Sequence, residues 1–248
     1  MVKTAAERNR AVNPDPILVP IQSWFERRGW SPLPFQQRSW AAYLEGRSGL
    51  IQVPTGSGKT FAAVMGPIAA MLAETEDHPG IRLLYITPLR ALSRDLALAI
   101  REPITEMRWP LRVGIRNGDS SSSERSKQLK SPPQILVTTP ESLTLLLSNI
   151  KAEELFRHLD TVVLDEWHEL MGSKRGTQTE LCLSWLRQQR PSLQTWAISA
   201  TIGNLAQAAR HALGTDGDPV IIGGAPARVT EIRSCLLYTS PSPRDLST

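Results

Sequence analysis

The chain has 248 residues, of which 41% are hydrophobic and 21% charged, with 28 lysines and arginines against 24 aspartates and glutamates. That length suits one large α/β domain, which buries enough surface to fold without disulfides or a structural metal. Two cysteines exclude a disulfide framework, and four histidines argue against a multi-metal site. With no bilayer-spanning apolar run and no secretory signal, we expect a cytoplasmic protein that uses no membrane. The net charge of +4 permits a polyanionic partner.

Short β-rich runs alternate with longer helical stretches through the middle of the chain. The strand candidates are continuous apolar runs, which indicates parallel strands covered on both faces. The strand candidates are 50–53, 83–87, 113–116, 135–138, 162–164, 195–199 and 220–222, and the helix candidates are 59–73, 89–107, 141–147, 178–189 and 205–213. This pattern predicts a doubly wound α/β fold, with a mostly parallel sheet, helices on both faces and ligands beyond the carboxyl ends of the strands.

The two ends of the chain differ from this middle. Residues 1–16 are polar and aperiodic, which predicts a flexible lead-in. Residues 235–245, CLLYTSPSPRD, break the alternation, and their back-translation resembles a transposase sequencing adaptor read in frame. We therefore interpret 17–233 as the folded domain and 234–248 as an adaptor artefact, with a natural Ser/Pro tail as the alternative.

A phosphate-binding loop is predicted where the first strand meets the first helix of this pattern. Residues 53–60 read VPTGSGKT. The glycines allow the backbone N–H groups to turn toward phosphate oxygens, Lys59 is placed to reach the β/γ phosphates, and Thr60 offers a hydroxyl to Mg²⁺. Val53 stands where the strict pattern has glycine. The loop residues are Pro54, Thr55, Gly56, Ser57 and Gly58.

A pair of carboxylates follows the apolar run at 162–164. Asp165 at the strand tip is suited to hold Mg²⁺ through water, and Glu166 to polarise an attacking water. His168 lies two residues further on and is suited to couple this edge to neighbouring polar groups. A solvated strand end is the alternative, but a phosphate loop upstream in a parallel sheet favours the catalytic interpretation.

Several motifs together resemble those of superfamily 2 helicases. TGSGKT, DEWH and SAT (199–201) resemble motifs I, II and III in order and spacing. Gln36 in PLPFQ lies 23 residues before Lys59, as in the Q motif that reads adenine. TPLRAL, NGD and TTPESL resemble motifs Ia, Ib and Ic. The string LDEWHELMGSKRGTQTEL (164–181) resembles the Lhr-like group and, within it, the ligase-associated DEXH-box helicases.

The resemblance implies the first RecA-like lobe of a P-loop NTPase, a motor that hydrolyses ATP with Mg²⁺. It implies movement along single-stranded or partly duplex DNA in DNA repair, with RNA as an alternative substrate and a DNA ligase and a nuclease as partners. A second RecA-like lobe would supply the arginine finger and motifs IV to VI, which this sequence lacks. Without that lobe, the fragment alone is expected to be nearly inactive.

The resemblance also implies roles for single residues. Gln36 would read adenine, and Ser199 and Thr201 would couple the γ-phosphate end to the nucleic acid. The residues expected to grip a phosphodiester chain are Thr87, Pro88, Arg90, Gly118, Thr138 and Thr139. Thr139 is also predicted to cap a helix that begins at Pro140. For Lys174 and Arg175, contact with nucleic acid and a solvated loop are left open.

Two other function classes compete with the helicase. A transporter ATPase would carry an LSGGQ-like signature, which the sequence does not contain. An isolated lobe that binds nucleotide or nucleic acid without turnover would lack the finger, which is worth about 10³–10⁵ in rate in related phosphoryl transfer. ATPase activity stimulated by single-stranded nucleic acid distinguishes these classes from the helicase.

The interpretation of the last residues predicts the result of resequencing the source DNA across codon 234 with a different library chemistry. We expect the reading frame to continue into a second RecA-like lobe with an arginine-bearing motif VI. A frame that ends in CLLYTSPSPRDLST would contradict the adaptor interpretation and favour the one-lobe module.

Overall fold

A computed structural model describes residues 15–76, 78–200, 205–214 and 219–224. Within these residues, Asp15 caps a 3-10 helix at Pro16–Leu18, and its side chain accepts a hydrogen bond from the N–H of Ile17 at 3.0 Å. Most of the predicted lead-in, the predicted adaptor segment and Thr201 lie outside the described residues.

A single sheet of seven parallel strands forms the centre of the described structure, in the order β3-β4-β2-β5-β6-β1-β7. The strands are β1 (Gly49–Gln52), β2 (Leu83–Ile86), β3 (Val113–Arg116), β4 (Ile135–Thr138), β5 (Thr161–Leu164), β6 (Gln194–Ser199) and β7 (Val220–Gly223). Each predicted strand is confirmed to within one residue at either end. Because β2, β4 and β5 are buried along their whole length, their runs show no in–out alternation.

Helices cover both faces of the sheet, as predicted. They are α1 (Val19–Arg27), α2 (Pro34–Leu44), α3 (Lys59–Ala73), α4 (Arg90–Glu106), α5 (Ser122–Lys130), α6 (Pro140–Leu147), α7 (Ala152–Phe156), α8 (Trp167–Leu170), α9 (Lys174–Gln189) and α10 (Leu205–Leu213). Alternate strand residues enter two separate cores. Ile51 and Tyr85 pack with α1–α4 on one face, whereas Leu50 and Leu84 pack with α6–α10 on the other.

The start of α9 corrects one sequence-based expectation. The predicted helix 178–189 begins four residues earlier, so Lys174 and Arg175 form its first turn and are not a solvated loop. Ser173 causes this earlier start, because its hydroxyl accepts a hydrogen bond from the N–H of Gly176 at 3.1 Å and caps the helix. Among the described residues, none of the helices combines the length and apolarity needed to cross a membrane.

The packing of β1 against β7 predicts a position-specific effect of adding one methyl group. A Cβ built on Gly49 lies 2.3 Å from the carbonyl oxygen of Val220, whereas one built on Gly223 lies 3.7 Å from its nearest neighbour, the carbonyl oxygen of Gln52. We expect Gly49→Ala to lower the free energy of unfolding by about 1–3 kcal/mol because the strands must separate. Gly223→Ala is the matched control and should change it by less than about 0.5 kcal/mol. Urea denaturation measures both, and equal effects would contradict the packing.

Candidate functional site

The predicted phosphate loop leaves the carboxyl end of β1 and runs into α3. Gly56 and Gly58 have φ values of +75° and +87°, a left-handed conformation that glycine adopts without strain. A Cβ on Gly58 would also lie 2.8 Å from the side-chain nitrogen of Gln36. Lys59 is the first residue of the 15-residue helix α3 and therefore stands at its positive end. Its side chain is largely buried, with Lys59 8% exposed. Strand, loop and helix therefore meet as the motif requires.

Gln36 lies against this loop and is buried. Its Nε2 donates to the carbonyl oxygen of Gly58 at 3.0 Å, and its Oε1 accepts from the N–H of Leu33 at 2.8 Å. The amide therefore fixes the turn before Lys59, in addition to the adenine contact predicted for it. The sequence spacing to Lys59 indicated proximity, but not this backbone contact.

Asp165 and Glu166 follow β5 directly, two strands away from β1 in the sheet. Glu166 forms an ion pair with Lys59, which joins the phosphate loop to the predicted catalytic carboxylate. The backbone of Glu166 has a φ of +43°, a strained conformation for a residue other than glycine. Asp165 is 3% exposed, and its Oδ1 accepts from the N–H of Glu166 at 3.0 Å.

Burial sets the protonation behaviour of Asp165. Loss of hydration raises its pKa from 3.8 to about 6, while the positive charge of Lys59 opposes the shift and the negative charge of Glu166 adds to it. Tyr85 is buried beside the same carboxylate, and burial first, then the charge of Asp165, raises the pKa of the phenol well above its usual value. A divalent cation at Asp165 would favour the ionised carboxylate and offset the cost of burying it.

A polar contact joins the strand-tip carboxylates to β6. The Nδ1 of His168 lies 3.0 Å from the hydroxyl of Ser199, the last residue of β6, and 3.5 Å from Glu166 Oε2. The structure thus connects two of the motifs singled out in the sequence, DEWH and SAT. Thr201, the other predicted coupling residue, lies outside the described residues.

The predicted nucleic-acid residues follow β2, β3 and β4, which are neighbours at the other half of the sheet. Arg90 begins α4, and its Nη1 lies 3.6 Å from Asp119 Oδ1. A Cβ on Gly118 would lie 2.8 Å from the Arg90 guanidinium, so this loop and the start of α4 are in close contact. We call the segments 87–90, 117–119 and 138–141 the rim.

The rim hydroxyls differ from the expectation that they point toward a ligand. Thr87, Thr138 and Thr139 are each at most 1% exposed. Thr138 donates to the carbonyl oxygen of Arg116 at 2.7 Å, and Thr139 caps α6 through the N–H of Ser142, as predicted for that residue. These threonines therefore shape the rim, because their hydroxyls face the protein interior. Arg90 is exposed. Contact of the three threonines with a nucleic acid stays a prediction.

Two arginines outside the rim contact it. Arg125 was not singled out in the sequence, and for Arg175 contact with nucleic acid and a solvated loop were left open. Arg125 in α5 donates to the carbonyl oxygens of Asn117 and Gly118, at 3.2 and 3.3 Å. Arg175 in α9 forms an ion pair with Glu141 at 2.7 Å and donates to the carbonyl oxygen of Pro88 at 3.2 Å. Both lie in polar segments, where sequence alone gives no signal that separates a bridging arginine from a solvated one.

The raised pKa of Asp165 predicts how stability depends on pH. Between about pH 4 and pH 6 the carboxyl is ionised in the unfolded chain but still protonated in the folded one, so stability falls as pH rises through this window and levels off above it. The free energy of unfolding of the wild type relative to Asp165→Asn should therefore drop by as much as about 3 kcal/mol. Chemical denaturation at several pH values measures this difference. A constant difference from pH 4 to pH 7 would contradict the account.

Comparison with known proteins identifies the family. The profile of the DEAD/DEAH box helicase family matches residues 33–208. The chain is 34% identical over 232 residues to the ATP-dependent helicase Lhr-Core protein 2 of Thermococcus barophilus, covering 86% of this chain and 27% of that protein. It is 36% identical over 248 residues to the Lhr helicase/uracil glycosylase of Escherichia coli, covering 90% of this chain and 16% of that protein.

A solved structure agrees with these relatives. The structure of the Mycobacterium smegmatis helicase Lhr bound to ssDNA and AMP-PNP superposes with a TM-score of 0.76 at 34% identity, covering 83% of this chain and 27% of that one. The chain therefore spans between 16% and 27% of the length of these three relatives. The predicted RecA-like fold and the similarity to Lhr proteins are confirmed, and the ligase-associated subgroup stays a prediction. The chain belongs to the DEAD/DEAH box helicase family, whose members use ATP.

Proposed function

We propose that this chain is the ATP-binding lobe of an ATP-dependent nucleic-acid helicase or translocase. The observation that supports the proposal most is the ion pair between Lys59 and Glu166. It places the phosphate-loop lysine and the strand-tip carboxylate within contact of each other, although 107 residues separate them in sequence. Hydrolysis of a nucleoside triphosphate needs both groups at one γ-phosphate.

The loop is suited to hold the phosphates of ATP. The left-handed turns at Gly56 and Gly58 and the start of α3 provide backbone N–H groups and a positive helix end. Lys59 would exchange Glu166 for the β/γ phosphates, which leaves the carboxylate free to act on water. Gln36 would contact adenine while its Nε2 holds the loop at Gly58.

The donor set fits Mg²⁺, which usually binds to one or two carboxylates together with substrate phosphates. Thr60 and Asp165 are the residues that would hold it, and in the described residues no group of three or more His, Cys, Asp or Glu side chains is arranged to hold a metal without such phosphates. When bound, the cation would neutralise charge on the phosphate oxygens. Asp165 would then stay ionised despite its burial.

Two residues of this chain would carry the reaction beyond binding. Glu166 would orient the attacking water and accept its proton. His168 would transmit the state of the carboxylate to β6 through the hydroxyl of Ser199. Thr201 is proposed as the next residue of that connection. Ser199 ends a strand that lies between β1 and β5, so a shift there affects both parts of the nucleotide site.

The rim would bind the phosphodiester backbone of a single strand without reading its sequence. Arg90 supplies the charge, and the exposed Gly118 leaves its backbone accessible, whereas Pro88 is buried and its carbonyl oxygen accepts from Arg175. We propose single-stranded or partly duplex DNA as the substrate, because the M. smegmatis Lhr structure contains ssDNA and a MrfA helicase structure at 25% identity contains DNA. RNA binding is the alternative that the experiment below separates.

The remaining proposals concern the rest of the protein. We propose that 17–233 is the first lobe, and that a second RecA-like lobe supplies an arginine finger. The tail at 234–248 is proposed to be an adaptor artefact. We propose a role in DNA repair beside a DNA ligase and a nuclease, which the sequence resemblance supports, and a cytoplasmic location.

The test is the ATPase rate of the complete protein with and without single-stranded DNA or RNA. We expect the rate to rise with DNA. Lys59→Ala should abolish nucleotide binding, because the loop loses its only side-chain cation within TGSGKT. Glu166→Gln should keep nucleotide binding but lower turnover by about 10²–10⁴-fold.

Lys127→Ala, an exposed lysine on α5, is the control and should match the wild type. An equal rate for Glu166→Gln and wild type would remove Glu166 as the group that polarises water. Nucleotide binding without any turnover in the complete protein would favour the isolated binding module over the motor. Stimulation by RNA alone would overturn the choice of DNA.

A further inference from the structure

Arg175 contacts two rim segments that are far apart in the sequence. Its Nε lies 2.7 Å from Glu141 Oε1 in the first turn of α6, and its Nη1 donates to the carbonyl oxygen of Pro88 at 3.2 Å, in the loop between β2 and α4. The planar guanidinium presents both N–H groups in fixed directions, which suits simultaneous contact with a carboxylate and a carbonyl. The side chain thus fixes the distance between the two segments.

The backbone that carries Arg175 is itself held firmly to α8. The hydroxyl of Ser173 donates to the carbonyl oxygen of Leu170 at 2.7 Å and accepts from the N–H of Gly176. A Cβ on Gly176 would lie 2.0 Å from that same carbonyl oxygen, so α8 and α9 approach each other as closely as glycine allows. Because α8 begins directly after Glu166, the position of Arg175 follows the position of the carboxylate.

We propose that Arg175 is a positioning residue that connects the carboxylate site to the nucleic-acid rim, by holding the loop at Pro88 and the start of α6 to the helix pair after DEWH. The inference rests on the proposed function. It adds a connection between the two halves of the sheet edge, whereas His168 and Ser199 connect β5 with β6 within one half. Its role is to keep Arg90 and the capped end of α6 at the distance from each other that binding of one nucleic-acid strand requires.

Direct contact of Arg175 with a phosphate is the competing role, and the two roles give opposite signs for one variant. If Arg175 binds a phosphate directly, removing the negative charge of Glu141 should strengthen binding to a polyanion. Arg175 is then no longer attracted to Glu141, and Glu141 no longer repels the phosphates. The same change should weaken binding if the ion pair positions the rim. Glu141→Gln therefore separates the two roles.

The experiment measures the dissociation constant of a fluorescein-labelled oligo(dT) by anisotropy at several salt concentrations, in the complete protein. Arg175→Gln, Arg175→Lys and Glu141→Gln should each weaken binding by about twofold to fivefold, the range expected for a half-exposed ion pair. Arg175→Lys keeps the charge but loses the two-point geometry. The dependence of binding on salt should stay unchanged for this variant, because no phosphate contact is lost.

Four controls keep the test specific. Lys127→Gln removes the same charge from an exposed residue of α5 and should change binding by less than about twofold. The exchanged pair Arg175→Glu with Glu141→Arg should recover part of the loss. The KM for ATP without DNA should be unchanged in every variant, because the phosphate loop is untouched. Melting temperatures close to that of the wild type exclude unfolding as the cause.

Several outcomes would overturn the inference. Stronger binding by Glu141→Gln would assign Arg175 to direct phosphate contact. The same assignment would follow if Arg175→Lys bound as the wild type does and only Arg175→Gln showed a weaker salt dependence. Loss of ATP binding in parallel with DNA binding would assign it to general stability. A wild-type protein that binds no oligo(dT) would overturn the proposed function itself, which is distinguishable because all variants then behave alike.

Discussion

All described strands of the sheet run in the same direction, and the arrangement of the site depends on this constraint. Parallel strands place every segment that follows a strand at one edge, so the chain returns to that edge after each helix. The order of the strands then divides the edge into two halves. The phosphate loop, the carboxylates and Ser199 follow β1, β5 and β6, whereas the rim follows β2, β3 and β4.

Burying charged side chains at this edge is unfavourable, and the contacts among them reduce that cost. Asp165 and Lys59 are both less than 10% exposed, and an isolated buried charge is strongly unfavourable. The ion pair between Lys59 and Glu166 offsets part of that cost, and the hydrogen bond from the Glu166 N–H to Asp165 offsets a further part. The left-handed backbone at Glu166 is the strain that this arrangement sustains.

The sequence predicted the elements of the site better than the contacts between them. Apolar runs bounded by turn residues located every strand, and TGSGKT and DEWH located the groups at their tips, because each motif has local chemistry. The order of the strands depends on packing among distant segments, so the sequence did not predict that β6 separates β1 from β5. The burial of Thr138 and the early start of α9 at Ser173 also depend on neighbours that lie far away in sequence.

Arg175 illustrates the same limit of local patterns. Its neighbours in GSKRG are polar, and only the folded chain brings Glu141 and Pro88 beside it. By contrast, Thr139 was predicted to cap α6, because a helix cap depends on the next three residues only. Features decided within one turn of helix were therefore predictable, while bridges between strand ends required the structure.

Hydrogen exchange of the protein, with an ATP analogue and with oligo(dT) added separately, tests the division of the sheet edge most directly. The account predicts that the analogue slows exchange in 53–60 and 164–168, whereas the oligonucleotide slows exchange in 87–92, 116–119 and 138–143. Protection by the oligonucleotide confined to 53–60, or identical protection by both ligands, would contradict the account.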